Sequence, residues 1–99
     1  MRKITKESIE AFLSAKKFKK SNMEIEVLPN VTILKYWGNS IAYLYNDQER
    51  TLSITNCGYF TSTTKERLNG LPNVDLFQKS GIWYLNGEKW DGKLIDINK

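Results

Sequence analysis

Tight turns constrain this chain more than any other feature. Gly38-Asn39, Ser80-Gly81 and Asn86-Gly87 are two-residue turn signals, and Pro29-Asn30 and Asn46-Asp47-Gln48-Glu49 interrupt the runs between them. Parallel strands need a crossover of a dozen or more residues, so segments joined this closely must pair antiparallel. The intervening runs have strand character. Met23, Ile25 and Val27 alternate with Glu24 and Glu26, Val31, Ile33 and Leu34 lead into Lys35-Tyr36-Trp37, and Ile41 to Tyr45 and Thr51 to Asn56 follow. A four-strand meander over residues 23–56 is expected.

Helical signals flank the meander. Thr5 reads as an N-cap with Ile4 stapled on Ile9, and Ile9, Phe12, Leu13 and Lys16 lie at i, i+3, i+4 and i+7, which predicts a helix over Lys6–Lys17. Thr63 and Glu66 have the spacing of a capping box, opening a short helix over 63–70 that ends at Asn69-Gly70. Strands Val74–Lys79 and Ile82–Leu85 then flank Ser80-Gly81. Asn86-Gly87 folds Trp83-Tyr84-Leu85 back on Glu88-Lys89-Trp90, and Leu94-Ile95-Asp96-Ile97 offers a last strand or loop, completing C-terminal hairpins over 74–97. The fold class is α+β in the order α–ββββ–α–ββ(β), an antiparallel meander with helices packed on a face.

With 99 residues the chain is one domain, able to bury roughly 65% of its unfolded surface. It holds one cysteine, Cys57, and no histidine. Histidine-dependent triads are excluded, a structural zinc site is disfavoured, and no cofactor is expected. Cys57 reads as a small buried hydrophobe beside a turn rather than a nucleophile, and pairs such as Glu24 with Glu26 or Asp91 with Asp96 lack the marks of an acid–base couple. The chain is expected not to be an enzyme. With no apolar run long enough to span a membrane and one unpaired thiol, it is expected in the cytoplasm and without a membrane partner.

The net charge of +4 is uneven: residues 1–20 hold seven basic side chains against two acidic, and the rest holds eight against nine. The excess culminates in Lys16-Lys17-Phe18-Lys19-Lys20, read as a helix end fading into a loop and as a contact for a polyanion. A second candidate is Thr61-Ser62-Thr63-Thr64-Lys65 with Arg67, where hydroxyls, helix N–H groups and cations suit a phosphate. The third is aromatic. Tyr36, Trp37, Tyr59, Trp83 and Trp90 are expected to place rings off the core for base stacking or for a partner protein, since adjacent aromatics on a strand point to opposite faces.

These same residues carry a resemblance. The run Thr63-Thr64-Lys65-Glu66-Arg67-Leu68-Asn69-Gly70-Leu71-Pro72-Asn73-Val74 and the stretch QKSGIWYLNGEKWDG at 78–92 are similar to those of a family of small accessory proteins encoded by tailed bacteriophages. Ile4-Thr5-Lys6-Glu7-Ser8-Ile9 and the turn at 38–43 extend the likeness over most of the chain. The resemblance implies a setting, in which small proteins bind and block a host component, and no catalytic residue. The leading expectation is a binder of nucleic acid or a nucleotide second messenger, acting in the host cytoplasm against host defence. The alternatives are an anti-CRISPR-like inhibitor of a host or defence protein, and a virion or assembly component. An unpaired strand of the meander would also offer its edge to a second copy of the chain.

Overall fold

A buried stripe organises the first helix, though not the one expected. In the computed structural model, which describes residues 1–97, helix α1 spans Lys3–Leu13 and buries Thr5, Ser8, Ile9 and Phe12. These lie at i, i+3, i+4 and i+7. Arg2 is the N-cap and offers no side-chain cap, so Thr5 is not the cap but a member of the packed face. The helix stops at Leu13, short of the expected Lys17. Ala15 adopts φ 53°, its N–H donates to Phe12 O at 3.3 Å, and the Lys16 N–H donates to Ala11 O at 2.9 Å. That pair of bonds is the Schellman closure, here with alanine where glycine is usual.

Beyond the cap Lys16 and Lys17 are loop, but the rest of the run, Phe18–Lys20, is a strand, not the expected loop. β1 (Phe18–Lys20) pairs antiparallel with β2 (Met23–Val27), then come β3 (Val31–Tyr36), β4 (Asn39–Tyr45), β5 (Leu52–Ile54) and β9 (Ile95–Asp96), giving a six-stranded sheet in the order β1-β2-β3-β4-β5-β9. The β3–β4 turn is Trp37-Gly38, one residue earlier than the expected Gly38-Asn39, with φ 52° and 78° and Tyr36 opposite Asn39. Positive φ at both central residues makes it type I′. A bulge follows, where Leu34 faces Ala42 but Lys35 faces Ser40; the extra residue, Ile41, is turned into the core.

Helix α2 (Ser62–Leu68) is capped two residues earlier than expected: Thr61 is the N-cap and its hydroxyl accepts the Thr64 N–H at 3.1 Å. The remaining strands β6 (Leu76–Lys79), β7 (Ile82–Leu85) and β8 (Glu88–Lys89) form a separate three-stranded sheet. One core joins the parts. Phe12, Leu34, Ala42, Ile54 and Leu68 are wholly out of solvent, with Trp83 and Trp90 packed in the same cluster. Burying each large apolar side chain contributes about 1.5–3 kcal/mol. Gly70 lets the end of α2 approach α1, since a Cβ there would sit 2.9 Å from Ile9 Cγ1.

Candidate functional site

The Schellman turn that ends α1 leaves Lys16 and Lys17 in solvent and aims the chain into β1, an edge strand. Lysines suit such an edge because they oppose unwanted pairing with other strands. Alternation then divides them. Lys19 faces Glu24 across the ladder, while Lys20 reaches back to Glu7 of α1 at 3.0 Å. Around Lys17 and Lys19 lies an open depression of about 560 Å³ that also takes in Phe18, Glu24, Glu26 and Lys35. Lys35 is ion-paired to Glu26 at 2.8 Å, and that hydrogen bond holds its ammonium charged to a higher pH than usual. Lys16, Lys17 and Lys19 have no such bond among the described residues.

Lys19 and Glu24 also border a second depression, of about 200 Å³, with Ser21, Asn22, Trp37 and Gly38. Two hairpin tips therefore sit side by side at one end of the sheet, tied by the Trp37 N–H donating to Asn22 O at 2.8 Å. Trp37 is 70% exposed. A bulky side chain at positive φ is strained, and asparagine or glycine is the usual occupant of this turn position. Tyr36 beside it is half-buried, with the Arg67 guanidinium 5.7 Å from its ring centre and Trp37 edge-on at 6.4 Å. Of the two adjacent aromatics, Trp37 is the one free to stack on a ligand.

The hydroxyl-rich segment does not assemble into a phosphate cradle. Thr61 and Ser62 are exposed and Thr63 is half-buried, but Thr64 is fully buried and bonded to Thr61. Arg67 is 2% exposed: it turns inward to Thr5 Oγ1 and Glu66 Oε1, both at 2.6 Å. Lys65 lies over the Trp83 ring at 5.7 Å and donates to Gln78. Glu66 does not close a capping box either, since its carboxylate accepts from Thr5, the Arg2 N–H and Arg67. Its burial raises the pKa, and those hydrogen bonds outweigh it, leaving the carboxyl below its ordinary value.

Two of the aromatic candidates are core residues. Trp83 is 2% and Trp90 6% exposed, their rings 6.2 Å apart, and Trp90 Nε1 donates to Lys93 O. Tyr59 is exposed, next to Phe60, whose ring packs T-shaped against Trp83 with ring centres 5.2 Å apart. Cys57 is exposed rather than buried, at positive φ in a turn, and its Sγ donates to Ser40 O at 3.1 Å. Partial burial of the thiol pushes its pKa up, the opposite of what a nucleophile needs. Among the described residues no three of Cys, Asp and Glu come together as a metal-ligand set.

One feature was readable but missed. Phe77 and Tyr84 face each other across the Ser80-Gly81 hairpin and stack at 5.1 Å with planes 10° apart. Period-two alternation through that turn places both on the outer side of the small sheet, away from Trp83 and Leu85.

A family model described as the Kyanoviridae Gp96 protein matches residues 1–96. No curated protein and no solved structure matches the chain.

Proposed function

The chain belongs to the Kyanoviridae Gp96 protein family, and from that phage setting we propose that it is a non-enzymatic binder of a phosphate-bearing ligand, either nucleic acid or a nucleotide second messenger. It works in the host cytoplasm, where sequestering such a ligand would counter host defence. The observation that carries this reading is the meeting of Lys19 with Trp37 around one depression, beside exposed Lys16 and Lys17. Lysines attract phosphate and an open indole face stacks on a base, the two halves of nucleotide recognition. No helix among the described residues is long and apolar enough to cross a membrane.

A labelled oligonucleotide and a panel of signalling nucleotides test it. For an oligonucleotide, log affinity falls linearly with log salt, by about 0.7 per neutralised phosphate on a single strand. For a nucleotide, a ligand at a hundred times its Kd raises stability by about 2.7 kcal/mol, visible as a thermal shift. Replacing Lys16, Lys17 and Lys19 together by alanine weakens either signal. Absence of binding to every probe refutes the reading.

A protein partner is the second reading, favoured by Tyr59 and Phe60, adjacent and each at least half exposed. Exposed aromatics of this kind serve as interface anchors. Retention of host proteins from nuclease-treated lysate by the wild type but not by Tyr59→Ala/Phe60→Ala would support it.

A further inference from the structure

The outer face of the three-stranded sheet carries a second arrangement, which none of the β1 and Trp37 residues contributes to. Phe77 and Tyr84 stand as cross-strand neighbours, already stacked, and Phe77 is 43% exposed on edge strand β6. The same alternation puts Lys79 two residues along from Phe77, and the ladder puts Lys89 directly opposite Tyr84. Both lysines are exposed, and neither has an ion-pair partner among the described residues. Asp75, two residues before Phe77, and Asp91, two residues after Lys89 and 4.0 Å from Lys93 Nζ, are the nearest acids in sequence on that face, both exposed. Same-face side chains on a strand are separated by about 7 Å, so ring and ammonium are spaced to meet base and backbone of one strand.

We infer that this face is a stacking platform for single-stranded nucleic acid, with bases continuing the Phe77–Tyr84 stack and Lys79 and Lys89 meeting the phosphates. The occupant follows from the combination. Aromatic rings alone would suit any apolar partner, but a stacked pair flanked by two free cations is complementary to a polyanion whose bases are unpaired. A duplex hides its base faces and would engage only the lysines. The inference deepens the proposed function by naming the ligand class, and it rests on that reading only in taking nucleic acid as the phosphate-bearing partner. Its residues are separate from Lys16, Lys17, Lys19 and Trp37, so each set can fail alone.

Fluorescence anisotropy with a labelled oligothymidylate and a duplex of equal length provides the test. The wild type binds the single strand more tightly than the duplex. Phe77→Leu and Tyr84→Leu keep apolar bulk and remove a ring, and each weakens single-strand binding roughly 5- to 150-fold. Tyr84→Phe keeps the ring and retains affinity. Lys79→Ala/Lys89→Ala, at exposed positions and without consequence for folding, reduces the salt slope by up to about 1.4. No binding to the single strand, equal binding to the duplex, or ring and lysine variants that bind like the wild type would each overturn the platform. If these variants lose binding while Lys16→Ala/Lys17→Ala/Lys19→Ala does not, the platform stands and the β1 site falls; the reverse pattern does the opposite.

Discussion

Thr5 of α1 and Arg67 of α2, 62 residues apart, meet at 2.6 Å between Oγ1 and Nη1 with both side chains out of solvent. The Thr5 hydroxyl donates in turn to Glu66 Oε1 at 2.6 Å, and the same carboxylate oxygen accepts from Arg67, so three side chains close a ring between the helices. Arg67 extends it to Asn22 Oδ1 at 3.4 Å and lies over Tyr36, which links the helices to the β1–β2 and β3–β4 tips. A residue that looked like a phosphate ligand is instead the pin that holds the two helices and the hairpin tips together.

Removing one member of that ring should be costly. Thr5→Val keeps the volume but strips a partner from both Arg67 and Glu66, and urea denaturation should show a loss of about 1–3 kcal/mol. Arg67→Ala leaves the Glu66 carboxylate without its counter-charge and should cost about 3–5 kcal/mol, more than Arg67→Met, which fills the space. A Thr5→Val chain as stable as the wild type would contradict the ring.

The ring also sets an acid limb. Glu66 has its pKa depressed in the folded chain, so its contribution is complete above the unfolded value of about 4.3 and is lost as the pH falls through the folded one. Glu66→Gln should therefore be less stable than the wild type at pH 7, with the gap closing as the pH falls below about 4. Asp47, lowered by hydrogen bonds from the Thr51 N–H and hydroxyl, keeps part of the acid limb in that variant. A gap independent of pH would remove Glu66 from the account.

The cap at Ala15 offers a test in the stabilising direction. Left-handed backbone costs a non-glycine residue about 1–2 kcal/mol, and Ala15 sits at φ 53° in the position that favours glycine. Ala15→Gly should raise stability by about 1 kcal/mol, or about 4–8 °C in melting temperature. A lower melting temperature would mean that α1 does not end as described.

Much of the architecture was legible because its signals are local. Asn86-Gly87 adopts φ 52° and 88° as a type I′ turn, and Met23 and Ile25 are buried while Glu24 and Glu26 stay part-exposed. What sequence reasoning missed depends on distant partners. Thr5 and Glu66 each have the local form of a capping residue, but their side chains are more strongly engaged with one another and with Arg67 than with a helix end. Trp83 in β7 and Trp90 just past the end of β8 stand at positions that alternation allows to be either open or closed, and the small sheet closes over them. The Gly38-Asn39 signal was one residue late because Trp37 itself takes a conformation that its bulk disfavours. Lys16 to Lys20 looked like a helix tail because nothing local reveals the Schellman stop at an alanine. The Lys19–Trp37 depression, by contrast, joins two candidates that the sequence had marked separately.

Trp37 is where the functional account is most exposed to refutation. It is 70% accessible at a strained turn position and contributes to the fold mainly through one edge contact with Tyr36. Trp37→Asn supplies the residue that a type I′ turn prefers, which offsets the roughly 0.5–1.5 kcal/mol carried by that contact. Melting temperature and ligand affinity measured on the same Trp37→Asn sample provide the most direct test. Stability should be kept or raised while binding of the nucleotide or oligonucleotide falls roughly 5-fold or more. A variant that melts several degrees lower, or that binds as the wild type does, would contradict this.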